Sequence, residues 1–206
     1  MEIIHYKDAQ IRGKRLGEDE KVQGILCPAG SWVWFHRNGA VSSLEPLSDV
    51  EIEGVTCRAN SRVSFQENGR LMKCWISRDA VIQGVPTRSD TFLLFHENGS
   101  LAACRLSENL LYRNIPCKEG RWIGFYDDGG LKRCFLAEDT ISSGVMLREG
   151  TWAAFHPNGV LDNYRLPQDT LIQGMEYCTG DILLFDEDGR VSEKIIVPAR
   201  PDETAR

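Results

Sequence analysis

The sequence predicts an all-β protein made of tandem 30-residue β-hairpin repeats that form a coiled antiparallel meander. Two observations carry this prediction. One phenylalanine recurs every 30 residues without a gap, at Phe35, Phe65, Phe95, Phe125, Phe155 and Phe185. Three residues after each of them stands an Asn-Gly or Asp-Gly pair, beginning with Asn38-Gly39. A constant period of this kind indicates one supersecondary unit that is copied and stacked.

The copy at residues 51–80 shows how each unit is built. Apolar and polar residues alternate in three segments, 52–57, 62–66 and 71–76, and this period of two is typical of β-strands. Asn68-Gly69 lies between the second and third segments, and Asn-Gly between alternating hydrophobic residues is a strong hairpin signal. We therefore expect three strands per copy, with a type I′ turn between the last two.

The junctions between copies carry turn-forming residues at fixed positions. Asp19, Asp49, Asp79, Asp139 and Asp169 share one position, which predicts turns because Asx side chains bond nearby backbone. A glycine follows at Gly24, Gly54, Gly84, Gly144 and Gly174, which predicts positive φ at a bulge. Pro86 and Pro116 come two residues later, so the first strand is expected to be short, bulged or at a sheet edge there.

The repeat extends over nearly the whole chain and predicts a single β-repeat domain at residues 1–198. Residues 2–20 form an N-terminal half-repeat cap, and six repeats start at 21, 51, 81, 111, 141 and 171. Terminal copies that lose the consensus commonly act as caps. Residues 199–206 are expected to be a flexible tail.

A small six-bladed β-propeller is an alternative architecture for the same pattern. Propeller blades normally hold four strands, which 30 residues can barely supply. In a propeller, polar side chains from different copies could converge on a central site. His36, His96 and His156 are the candidates, because they share one position in alternate copies.

Composition limits the classes of function. The formal net charge of −6 disfavours nucleic acid as a partner. The N-terminal residues lack the features of a secretory signal, and seven cysteines without a CxxC pair indicate reduced thiols. We therefore expect a cytoplasmic protein whose cysteines are small buried hydrophobic residues. Motifs for catalysis, metal binding or a cofactor are absent from the sequence, and none of these is expected.

Two rows of residues are candidates for a binding surface. The aromatic row, Trp32, Phe92, Trp122 and Trp152, should lie on the sheet face opposite the repeated phenylalanines. That face is either covered by a further layer or exposed as an apolar binding surface. The basic row, Arg58, Arg88, Lys118 and Arg148, shares another position and could bind an acidic partner or lipid head groups.

The segments FQENGRL, FHENGSL and FHPNGVL, each followed by a polar turn and a glycine, resemble the variant MORN repeats of YwqK-like proteins. The resemblance covers most of the chain and implies an array of β-hairpins that serves as an interaction module. We accordingly expect a non-catalytic repeat module for protein–protein interaction or scaffolding, with an unidentified protein partner. The alternatives are a β array that binds membrane surfaces or lipids, and a propeller-like ligand-binding protein or enzyme with a central site. The sequence leaves the oligomeric state open.

Overall fold

The computed structural model describes residues 2–196, which form 26 strands and no helix. Fourteen of them make one sheet: β1 (Glu2–His5), β2 (Ile11–Arg15), β5 (Trp32–Phe35), β6 (Val41–Glu45), β9 (Val63–Phe65), β10 (Leu71–Trp75), β13 (Phe92–Phe95), β14 (Leu101–Arg105), β17 (Trp122–Phe125), β18 (Leu131–Phe135), β21 (Trp152–Phe155), β22 (Leu161–Arg165), β25 (Ile182–Phe185) and β26 (Val191–Ile195).

The other twelve strands pair into six short two-stranded hairpins. They are β3 (Glu20–Val22), β4 (Ile25–Cys27), β7 (Val50–Ile52), β8 (Val55–Cys57), β11 (Ala80–Ile82), β12 (Val85–Thr87), β15 (Leu110–Tyr112), β16 (Ile115–Cys117), β19 (Thr140–Ser142), β20 (Val145–Leu147), β23 (Thr170–Ile172) and β24 (Met175–Tyr177).

The antiparallel meander is confirmed. In the 14-stranded sheet the strands follow one another in chain order from β1 to β26, whereas a propeller would divide them among separate blade sheets. At the N-terminal end of the described residues, β1 pairs with β2 as an antiparallel hairpin. The predicted tail lies outside the described residues.

The chain divides into two compact units. The first comprises residues 2–108 and 127–129, and the second comprises residues 109–126 and 130–196. Each unit contains whole hairpins of both kinds, and each is described by itself below. The single domain at residues 1–198 stays a prediction.

The prediction of three strands per copy was wrong, because each copy has four. The segment at 52–57 belongs to a hairpin of residues 50–57, in which Val50 pairs with Cys57 and Ile52 with Val55. Glu53 and Gly54 form its two-residue turn, with φ of 51° and 79°. Positive φ at this glycine was correctly predicted, but it serves a hairpin turn rather than a bulge.

The turn type at the Asn-Gly pairs also differs from the prediction. Only the glycine has positive φ, 84° at Gly69, whereas a type I′ turn would need it at Asn68 too. The N–H of Gly69 donates to the carbonyl of Gln66, and the N–H of Gln66 donates to the carbonyl of Arg70. The register shifts beside the turn, between Leu71 and Lys73. These features define a three-residue loop with a type I turn and a glycine bulge.

The core lies between one face of the large sheet, called here the inner face, and the short hairpins. Val63, Phe65 and Cys74 from the sheet are at most 2 % exposed, as is Cys57 from a short hairpin. Six of the seven cysteines are buried and none is in a disulfide, which confirms their predicted role in packing. Contact with the Cys74 thiol, together with burial, raises the pKa of the Cys57 thiol far above its usual range.

Long-range bonds from side chains to the backbone fix the turns. The Asp49 carboxylate accepts from the N–H of Ala59, ten residues later, at 2.8 Å. The same contact recurs in the other five copies, at Asp19, Asp79, Asn109, Asp139 and Asp169. The predicted turn role of these Asx residues is thus confirmed, but the bond closes a ten-residue segment instead of a local turn.

Candidate interaction surfaces

The face of the large sheet opposite the core, called here the outer face, carries the aromatic row. Alternate residues of a strand point to opposite faces, so the buried Val33 and Val63 place their neighbours on the outer face. Each unit's short hairpins pack on the inner face. Within residues 2–196, neither unit therefore provides a second layer over its own outer face. The alternative in which a further layer covers the aromatic row does not describe either unit.

In the first unit, two tryptophans stack on one strand. The rings of Trp32 and Trp34 are 5.4 Å apart at an angle of 16°. Gly13 lies opposite Trp34 on the neighbouring strand, where a Cβ atom would come within 2.5 Å of Trp34 Cε3. The absence of a side chain at Gly13 thus makes room for the indole ring.

A second aromatic pair of the first unit involves Phe92. Trp75 lies directly across from Phe92, and their rings meet edge to face at 5.7 Å. The Lys73 ammonium lies 4.4 Å from the Phe92 ring centroid, a distance that suits a cation–π contact. Trp75 remains 36 % exposed, and it belongs to this cluster although the sequence pattern did not single it out.

The second unit presents aromatic and basic side chains side by side. Trp122 is 37 % exposed, and Trp152 lies across from Phe135 on the neighbouring strand. Arg133 and Arg165 are exposed on the same face and form no ion pair with residues 2–196. Guanidinium groups that are not neutralised give this face a local positive charge, although the whole chain is acidic.

A shallow depression of about 480 Å³ lies beside Trp152. Its walls are mainly apolar, from Trp152, Leu166, Pro167 and Ile182, and Arg165 lies at its side. A concave apolar surface with one charged side chain is the common form of a pocket that receives an anchoring side chain. The second unit thus has a preformed place for such an anchor.

The basic row does not lie on the outer face as a free stripe. Arg58 pairs with Asp90 at 2.6 Å, Lys118 with Glu149 at 2.8 Å, and Arg148 with Asp139 at 2.6 Å. Arg88 is exposed. The backbone N–H of Arg58 donates to the carbonyl of Trp75, which places the row at the end of the sheet strands, beside the aromatic row. Ion pairing reduces the charge that this row can offer to a lipid surface.

The histidine position serves to join neighbouring copies. His36 Nε2 lies 3.1 Å from the carbonyl of Phe65, and His156 Nε2 lies 2.8 Å from that of Phe185. Tyr126, at the same position, donates from its hydroxyl to the carbonyl of Phe155. No group of three His, Cys, Asp or Glu residues in the described part of the chain is arranged to hold a metal ion.

A further exposed surface was missed at the sequence level. Leu111, Ile141 and Leu171 point outward from the short hairpins of the second unit and are 66–69 % exposed. Val81 holds the same position in the first unit. Their spacing of 30 residues is visible in the sequence, but these positions fell in the segments between the predicted strands.

Comparison with models of known families finds none that matches this chain. No curated protein gives a significant sequence match. The resemblance to MORN repeats therefore stays a prediction. None of the residues from 2 to 196 belongs to a helix with the length and apolar character of a membrane span.

Proposed function

We propose that this protein is a non-catalytic repeat module that binds another protein through the outer face of its large sheet. The observation that carries the proposal is the set of partly exposed tryptophans on a sheet face that has no second layer within either unit. Trp122 and Trp75 each leave more than a third of their surface open to water. Tryptophan and arginine are the residue types that most often dominate the binding energy of protein interfaces.

The chemistry of the second unit supports one kind of partner. Trp122, Phe135 and Trp152 offer apolar anchors, and Arg133 and Arg165 offer positive charge on the same face. A complementary surface would present an apolar side chain to the depression beside Trp152 and carboxylates to the two arginines. The proposed partner is therefore a protein with an acidic and apolar surface.

A binding role for the basic row remains a weaker proposal. Three of its four members already have acidic partners within the same unit. On an anionic membrane these pairs would present their acidic partners beside the basic groups, which weakens the attraction to the lipid.

Site-specific crosslinking tests the proposal in the cell that produces the protein. A photoreactive phenylalanine analogue replaces Trp122 on the outer face, and in a matched control it replaces Leu26, which is 66 % exposed on a short hairpin. We expect a discrete adduct with one protein from position 122 and none of the same mass from position 26. Equal adducts from both positions, or none from position 122, would contradict the proposal.

Titration of the captured partner then measures how much individual residues of the outer face contribute to the binding affinity. We expect Trp152→Ala and Arg165→Glu each to weaken binding by about tenfold or more, since central aromatic and arginine residues carry most of the energy. Leu26→Ala should leave the affinity unchanged. Raising the salt concentration should weaken binding of the wild-type chain and have less effect on Arg133→Glu/Arg165→Glu.

A further inference from the structure

The short hairpins of the second unit carry an aliphatic ridge, defined here as Leu111, Ile141 and Leu171. Each lies at the centre of a three-residue strand whose neighbouring side chains are more buried, so the three side chains point away from the core. Their exposed fractions are 69, 66 and 68 %. Large aliphatic residues repeated at this exposure form an apolar surface rather than scattered single residues.

The ridge is widened by a methionine. Met146 lies directly across from Ile141 and is 40 % exposed. Full burial of one such side chain removes on the order of 100 Å² from water, so the four together offer roughly 240 Å². One side of a standard interface contributes about 500 Å² of apolar area. The ridge supplies about half of that area.

Charges at the two ends of the ridge are opposite in sign. Arg113 lies at the hairpin tip beside Leu111, and Glu176 lies directly across from Leu171. Both are exposed, and neither forms an ion pair with another residue in the range 2–196. If a second copy packed on the ridge in the antiparallel orientation, Arg113 of each copy would lie near Glu176 of the other.

We infer that the aliphatic ridge is a self-association surface on which a second copy of the chain packs. A twofold axis that runs along the hairpin direction through Ile141 places Leu111 against Leu171 of the second copy. It brings Arg113 near Glu176 twice, once on each side of the axis. The equal spacing of the ridge residues lets the two sets of side chains interdigitate, as an isologous interface requires. This surface is distinct from the outer face that the proposed function uses.

Sedimentation of the full chain over about 1–200 µM tests the inference, since micromolar association changes the average mass in that range. We expect the mass to rise from 23.2 kDa toward twice that value. Ile141→Lys should hold the protein at the monomer mass with an unchanged circular dichroism spectrum. The control Leu26→Lys changes an equally exposed leucine outside the ridge and should still dimerise.

Charge reversal gives a second test that does not alter the apolar residues. Arg113→Glu should shift the dimerisation midpoint to higher concentration by about tenfold, and Arg113→Glu/Glu176→Arg should restore it. A wild-type chain that stays monomeric at the highest concentration would overturn the inference. So would a dimer that Ile141→Lys leaves intact, because its contact would lie elsewhere, for example at the exposed edges of the sheet.

Discussion

The side-chain amide of Asn68 donates a hydrogen bond of 3.0 Å to the backbone carbonyl of Glu97, in the corresponding turn of the next copy. Its Oδ1 atom accepts from the N–H of Arg70 in its own turn. The same two contacts recur at Asn38, Asn98 and Asn158. One amide thus closes its own turn and ties it to the following one.

Replacing this amide separates the two roles. Asn68→Asp keeps the acceptor but loses the donor, so we expect it to lower the free energy of unfolding by about 1 kcal/mol. Asn68→Ala loses both bonds and should cost more. Urea unfolding measures both variants. Glu67→Ala is the control, because only the backbone of Glu67 takes part in this network; an Asn68→Asp chain as stable as the wild type would contradict the assigned role.

Acid should destabilise the fold through the Asx contacts. The N–H of Ser89 beside Asp79, and that of Glu149 beside Asp139, hold the pKa of each carboxyl below its usual 3.8. A carboxyl whose pKa is lower in the folded than in the unfolded state stabilises the fold fully when the pH is above its pKa in the unfolded state. This contribution is lost as the pH falls through its pKa in the folded state. We expect the urea midpoint to fall progressively from about pH 5 to pH 2.5.

Asp79→Asn tests the source of that pH dependence. Asn109 accepts from the N–H of Glu119 in the same way, so an amide fits this position. The variant should fold at pH 7 and lose less stability on acidification than the wild type, whereas Asp79→Ala should be less stable at both pH values. An acid response of Asp79→Asn that equals the wild type's would show that other groups cause it.

The cysteines should differ sharply in reactivity. The thiolate is the reactive form, and burial raises the pKa of the Cys104 thiol to about 11. Contact with the Cys117 thiol raises the pKa of Cys134 as well. Cys178 is the exposed one of the seven. We expect a thiol reagent at pH 8 to modify one cysteine of the native chain rapidly, and Cys178→Ser to abolish this rapid reaction. Denaturation should make all seven cysteines reactive. Rapid reaction of several thiols in the native chain would contradict the burial described here.

Gly13 should be needed for the tryptophan stack. A Cβ atom there would meet Trp34 Cε3 at 2.5 Å, so Gly13→Ala must displace the indole ring. We expect the free energy of unfolding to fall by about 1–3 kcal/mol, as at other overpacked sites, and the tryptophan fluorescence to change. Gly17→Ala is the matched control, because nothing lies within 4 Å of its added Cβ atom. An unchanged spectrum in Gly13→Ala would contradict the packing described here.

Much of the architecture follows from local patterns in the sequence. The spacing of Phe35 and its equivalents predicted the repeat and the all-β meander, since a period of 30 with internal alternation fits few other structures. The hairpins at Asn68-Gly69 and the positive φ at Gly54 followed from turn chemistry. The aromatic row was placed on the correct face because side chains alternate along a strand.

Tertiary structure decided the features that depend on distant partners. A bulge and a two-residue turn at Gly54 require the same backbone freedom, so only the pairing of Val50 with Cys57 distinguishes four strands from three. The bonds from Asn68 to Glu97 and from Asp49 to Ala59 join residues 29 and 10 positions apart, which no local pattern reveals. The exposure of Trp122 and Ile141 depends on which face the hairpins cover. The sequence by itself therefore determined the repeating unit, whereas packing between elements determined which of its faces remain open to solvent.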